Sequence, residues 1–197
     1  MLRCLVSAAC CVFAAAGAGA QTTPNFNPPP STEQLETGFT TIHGHPSVPY
    51  KIRLLPVSSF PQLPQEIVLQ LDHIGCMIPQ TYEAHEPENV IHGSFEKSGS
   101  SDWAVLCSVK GVTTLYVFFQ SDPANPIPLR HQQDSEWLGA EWSLDYGSAW
   151  GISTMHADAM PRVDQADHDG IEDAFVEQSA TIHYFKNGHW TAIDASQ

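Results

Sequence analysis

Residues 102–119 read DWAVLCSVKGVTTLYVFF, and two runs rich in β-branched and aromatic side chains, separated by Lys110-Gly111-Val112, make this stretch a β-hairpin. A second unit of the same kind closes the chain. Residues 174–178, 181–185 and 189–193 read as three short strands, and Asn187-Gly188 between the last two is a type I′ turn signal. The alternation in Thr181-Ile182-His183-Tyr184-Phe185 is imperfect and leaves the buried face open. Upstream, residues 50–55 (YKIRLL) suit a strand. Residues 63–73 (LPQEIVLQLDH) carry helical spacing that runs through Ile67, Leu71 and Ile74, with Pro64 placed in the first turn. The expectation is a single α+β, β-rich domain of antiparallel hairpins or a meander with one main helix.

Outward from these units, the start of the chain has the order of a cleavable signal: the short basic Met1-Leu2-Arg3, an apolar run from Cys4 to about Ala16, and small residues up to Ala20. The apolar run is shorter than the ~20 residues that a bilayer span requires. Three parts are therefore expected: a signal peptide over 1–20, a Pro-rich linker over 21–34 containing Pro28-Pro29-Pro30, and a globular domain over 35–197. Cleavage after Ala20 removes Cys4, Cys10 and Cys11. Cys76 and Cys107 remain, and in an oxidising compartment the even pair favours a disulfide.

The chain carries 8 Lys plus Arg against 22 Asp plus Glu, a formal net charge of −14. Its basic residues are scattered singly, so no stripe exists to neutralise phosphates and nucleic acid is not an expected partner. An anionic membrane surface is disfavoured on the same ground, and no membrane insertion is expected after signal cleavage. The compartment expected is secreted or periplasmic, and the partner an unknown extracytoplasmic ligand or protein.

The two β units share a framework. Gly99-Ser100-Ser101-Asp102 precedes Trp103-Ala104-Val105, and Gly170-Ile171-Glu172-Asp173 precedes Ala174-Phe175-Val176. The second copy follows Asp167-His168-Asp169, giving D-x-D-G-x-x-D. That spacing suits a hard cation, because alternate side chains of a tight loop converge and an exposed carbonyl adds an oxygen. The candidate ligands are Asp167, Asp169, Asp173 and the carbonyl of Ile171, for calcium at an affinity on the order of 10⁻⁴ M or weaker. The competing reading is turn chemistry alone, with Asp and Gly shaping the entry to a strand. These segments resemble the FG-GAP repeat of integrin-type β-propellers, whose consensus runs Asp-Phe-Asn-Gly-Asp-Gly-x-x-Asp into a strand. Residues 93–106 match at Phe95, Gly99, Asp102 and the strand, with Ser94 and Ser98 where carboxylates would stand. The later copy has Ala166 in place of Phe and Gln165 in the first ligand position, beside Asp164. The resemblance implies a loop-strand-hairpin device, in a chain too short for a complete propeller of four or more blades.

For catalysis, the ten His residues are densest at His43-Gly44-His45, which on a strand would supply two metal ligands, joined by His73, His92, His156 or His183. His85-Glu86-Pro87 lacks the second His of a zinc hydrolase helix, and no G-x-S-x-G elbow is present. Asp134, Glu136, Glu141 and Asp145 offer carboxylates for acid–base hydrolysis of glycosides. The main expectation is an exported, non-enzymatic binding or accessory domain. The alternative is a small extracytoplasmic hydrolase using carboxylates or a His-bound metal. An interaction protein presenting an aromatic patch of Trp137, Trp142 and Trp150 is the third.

Overall fold

The computed structural model describes residues 29–140, 145–161 and 166–195 of the chain. Glu141 and Trp142 of the candidate sites, Asp164 and Gln165 of the cation loop, and the expected signal peptide lie outside the described residues. A seven-stranded antiparallel sheet comprises β1 (Gln34–Ile42), β2 (His45–Pro56), β3 (Met77–Gln80), β4 (Val90–Gly93), β5 (Asp102–Val109), β6 (Val112–Phe118) and β7 (Ile127–Gln133). Its order is β1-β2-β3-β5-β6-β7, with β4 also paired to β5. The helix α1 (Gln65–Ile74) connects β2 to β3. Two short strands, β8 (Leu138–Gly139) and β9 (Gly147–Ser148), pair with each other. A second sheet follows in chain order: β10 (Trp150–Met155), β11 (Gly170–Phe175), β12 (Ser179–Lys186) and β13 (His189–Asp194).

The hairpin at residues 102–119 is the centre of this arrangement. Its alternation sends Val105 and Cys107 to a cluster with Ile67 and Leu71 of the helix. Ala104, Leu106, Leu115 and Val117 go to the opposite cluster, which includes Trp150, Ile152 and Ile171 of the second sheet. Strand β5 is thus buried on both faces, which is why it reads as a continuous apolar run rather than a half-polar one. Each such Leu, Ile or Val contributes about 1.5–3 kcal/mol when fully removed from water.

The helix ends at Gly75, whose φ of +74° is the left-handed conformation glycine adopts without strain. The Cys76 N–H then donates to the Leu71 carbonyl at 2.9 Å. That turn brings Cys76 against β5, where it forms a disulfide with Cys107 across a Cα separation of 5.4 Å.

Three hairpins turn on pairs of positive φ, the signature of type I′: Lys110-Gly111, Asn187-Gly188 and His43-Gly44. Val112, expected in the turn, is the first residue of β6. The third pair corrects the sequence reading. His43 and Gly44 form the tip of the β1–β2 hairpin, and β1 itself was not expected, because its residues begin at the boundary assigned to the linker. Residue 34, assigned to that linker, is already in the strand.

The last three strands stand near their expected places, with Ile182 and Tyr184 supplying the buried face that alternation had left open. The strand expected over 174–178 instead begins at Gly170. It ends at Phe175, where Glu177 takes a φ of +62° and the Gln178 N–H closes a turn on the Phe175 carbonyl. The echo between the two units is therefore not one of structure. Gly99, with φ +76°, lies in a turn before β5, whereas Gly170 is itself the first residue of β11. A Cβ at Gly170 would stand 2.8 Å from Met160, 3.0 Å from Ile182 and 3.1 Å from the His183 carbonyl, so glycine serves close strand packing there.

Candidate functional site

The four cation-ligand candidates are placed by two different elements. Ile171 and Asp173 belong to β11, and Asp167 and Asp169 to the loop before it. Asp167 Oδ1 accepts from the Tyr184 hydroxyl at 3.0 Å. That hydrogen bond draws the Asp167 carboxyl below its ordinary value of 3.8, while burial, with Asp167 beside it, pushes the Tyr184 phenol up. Asp169 Oδ2 accepts from the Ser94 N–H at 3.0 Å, and its own N–H donates to the Ser94 carbonyl, so it ties the two echoing loops together. Its Oδ1 lies 3.3 Å from His156 Nδ1.

Asp173 is 1% exposed and holds three groups. It accepts from Trp150 Nε1 at 2.7 Å and from Arg130 Nη1 at 3.2 Å, and His183 Nε2 lies 2.9 Å from it. Each carboxylate of the expected set is thus engaged by a different protein group. Among the described residues, no three His, Cys, Asp or Glu are grouped as a metal ion would need.

Two more buried carboxylates organise loops. Asp102 accepts from the N–H groups of Gln120 (2.8 Å) and Glu96 (2.7 Å) and from the Ser100 hydroxyl (2.5 Å), closing the turn that launches β5. This is the part of the Gly-x-x-Asp pattern that does what its position before a strand implied. Asp134 accepts from the hydroxyls of Ser108 and Thr113. Glu36 of β1 reaches the same place: burial, and then the Asp134 carboxyl beside it, hold the Glu36 carboxyl above its usual 4.5. Two adjoining carboxyls are the arrangement that acid–base chemistry uses. The cavity flanking Asp134, lined by Ile52, Thr113, Trp137 and Trp150 among others, has a volume of only ≈ 10 Å³, room for one water molecule.

The raised Glu36 value fixes a sign for pH dependence. Its folded state holds a proton more tightly than the unfolded chain does, so its contribution to stability is complete below the ordinary value of 4.5 and is lost as pH rises through the folded value. Urea midpoints of the wild type are expected to fall over that interval. Glu36→Gln should flatten the slope and raise the midpoint at neutral pH; an unchanged slope would contradict the pairing.

The histidines do not converge. His43 and His45 are exposed at the hairpin tip, His73 ends α1, His92 lies 2.8 Å from the Ser101 hydroxyl, and His156 and His183 face different aspartates. Nor do the two described tryptophans of the expected patch, Trp137 and Trp150, form one at the surface. Trp150 is buried, and Trp137 stacks on Phe175 with the Arg130 guanidinium 4.0 Å above its ring. Of the remaining carboxylates named for hydrolysis, Glu136 and Asp145 are exposed.

Among the described residues the large exposed apolar side chains are Leu69 and Ile74 on α1 and a strip, which includes the most exposed of all, on the hairpin that the sequence had not revealed. Phe39 is 76% and Leu35 53% exposed, on one face of β1 with Thr37 between them. The opposite face packs inward: Gly38 lies under the Tyr50 ring, where a Cβ would come within 2.7 Å of it, and the Tyr50 hydroxyl donates to Glu36 at 3.3 Å. Strand β3 covers β2 only from Arg53 to Pro56. Beyond that, Tyr146 bridges to Tyr50 and its carbonyl accepts from the Lys51 N–H at 2.8 Å. An open groove with a volume of ≈ 560 Å³ runs along this end of the hairpin, its walls including Phe39, Pro49, Lys51 and Tyr146. The signal available in the sequence was the alternation of residues 34–42 (QLETGFTTI) before the positive-φ pair His43-Gly44.

Compared with protein-family models, with curated proteins and with solved structures, the chain matches none.

Proposed function

We propose that this protein is an exported, non-enzymatic binding module that grips a protein partner through the β1–β2 hairpin. The observation that carries the reading is the exposure of Leu35 and Phe39 on a strand whose other face is anchored by Tyr50 and Glu36. An apolar strip held in fixed geometry on a rigid element is the form that recognition surfaces take. The chemistry of the core favours the same reading. The buried carboxylates Asp102, Asp134 and Asp173 are each saturated by donors of the protein itself, and the pair at Glu36 and Asp134 adjoins a space that admits a water molecule but no substrate. Export is supported by the signal-like start of the chain and is compatible with the Cys76–Cys107 disulfide.

The test replaces Phe39 by a photo-reactive benzophenone analogue in an exporting host, with the same replacement at Leu69, an exposed residue of α1, as control. Light-dependent adducts to a polypeptide at position 39, and not at position 69, are the expected result. Adducts at neither site would overturn the reading. So would turnover of a glycoside, ester or phosphate ester that Asp134→Asn abolishes.

A further inference from the structure

The main-chain groups of β1 show what kind of partner the hairpin fits. The Lys51 N–H donates to Tyr146, on the side of β2 away from β1. The pair Thr37↔Lys51 is therefore a non-hydrogen-bonded one, and the N–H and C=O of Thr37 point outward from the sheet. Alternation gives Leu35 and Phe39 the same direction. This agrees with Pro49 opposite Phe39, since proline has no N–H to exchange. Among the described residues, no backbone hydrogen bond reaches this outer row.

Natural sheets protect such edges with Pro, Lys, bulges or short strands. The opposite edge of the same sheet does so: β7 carries Pro128 and Arg130, and its register breaks between them. Strand β1 is nine residues long, keeps a regular register from Gln34 to Thr40, and has one charge, Glu36, turned inward.

We infer that the outer edge of β1 pairs with β1 of a second copy of this chain, antiparallel about a two-fold axis through Thr37, to make one sheet continuous across both copies. This rests on the hairpin being the binding surface and names its partner. In that register Thr37 meets Thr37, Leu35 meets Phe39 twice over, Glu36 meets Gly38 and Gln34 meets Thr40. No like charges stand opposite one another, and both exposed apolar side chains gain a cross-strand neighbour. About six main-chain hydrogen bonds close across the axis. The same patch serves both copies, as a two-fold interface requires. Each chain carries a net charge of −14, so the copies repel at long range and the contact strengthens as salt screens them.

The experiment is sedimentation of the exported, oxidised protein over a range of concentration and salt, for wild type, Thr37→Lys, Thr37→Glu and an equal mixture of the two variants. Thr37 is exposed, so both variants should fold and share the thermal midpoint that wild type shows at concentrations where it is monomeric. Wild type should form dimers, more so at higher salt. Each variant places like charges at the axis and should associate roughly tenfold or more less tightly. The mixture, which sets Lys against Glu, should recover the dimer. A wild type that stays monomeric throughout, variants that dimerise as well as wild type, or a mixture that stays apart would each overturn the inference. A monomeric wild type whose position 39 still cross-links to another polypeptide would remove the second copy and leave the binding reading intact.

Discussion

Asp173→Ala is expected to lower the free energy of unfolding by about 3–5 kcal/mol, the cost of removing one partner from a buried ion pair and leaving the other uncompensated. The carboxylate has no solvent exposure, and the Arg130 side chain that it holds is about a third exposed (31%). Arg130 comes from β7 of the large sheet, whereas Trp150, Asp173 and His183 come from β10, β11 and β12 of the second. The aspartate therefore fastens one sheet to the other. Without it, the indole N–H of Trp150 loses its acceptor within a packed interior. The guanidinium also cannot easily move into water, because it lies 4.0 Å over Trp137 and 5.7 Å from the ring of Trp150. Asp173→Asn retains an acceptor for the indole but removes the charge that Arg130 faces, and a smaller loss of about 1–3 kcal/mol is expected. Urea unfolding followed by tryptophan fluorescence measures both. An alanine variant within about 1 kcal/mol of wild type would show that the carboxylate is not the fastening between the sheets.

The second large effect concerns the disulfide. Cys76 and Cys107 are 31 positions apart, and cross-linking a loop of that length removes unfolded-state entropy worth roughly 3–4 kcal/mol on the chain-entropy model. The loop encloses β3 and β4 and begins where α1 ends, so its closure ties the end of the helix to the centre of the large sheet. The double variant Cys76→Ala, Cys107→Ala should show a urea midpoint reduced accordingly. Both cysteines are buried, at 0% and 1% exposure, so reductant should act slowly on the folded protein and quickly on the unfolded chain. Equal midpoints for the oxidised wild type and the alanine pair would contradict a stabilising role.

What could be read in advance divides along a physical line. The hairpin at 102–119, the helix and the closing strands were legible because their signals are local: β-branched runs, helical spacing ahead of Gly75, and Asn187-Gly188 at a turn that only I′ geometry completes. The disulfide was legible because, with the expected signal segment set aside, two cysteines admit one pairing. Strand β1 was missed because it begins at the edge of a Pro-rich stretch and its turn, His43-Gly44, presents itself as a pair of metal ligands with His45. Asp173 was placed in a loop because Gly and Asp at that spacing suit one. In the fold, the same glycine permits close packing of β11 on β12, and the aspartate turns into the interior.

The sequence by itself determined the β-rich class, the main helix, the cysteine pair and the net acidity. These depend on residue types and on neighbours within a few positions, and local sterics and charge fix them. Only the tertiary structure decided what the carboxylates do and which surface is left open. Asp173 meets Arg130 across 43 positions and Glu36 meets Asp134 across nearly a hundred, encounters that no local pattern encodes. The exposure of Leu35 and Phe39 is likewise a property of the assembled sheet. An apolar side chain is a core residue or a docking residue according to what packs above it, and among the described residues β1 has a neighbouring strand on one side alone.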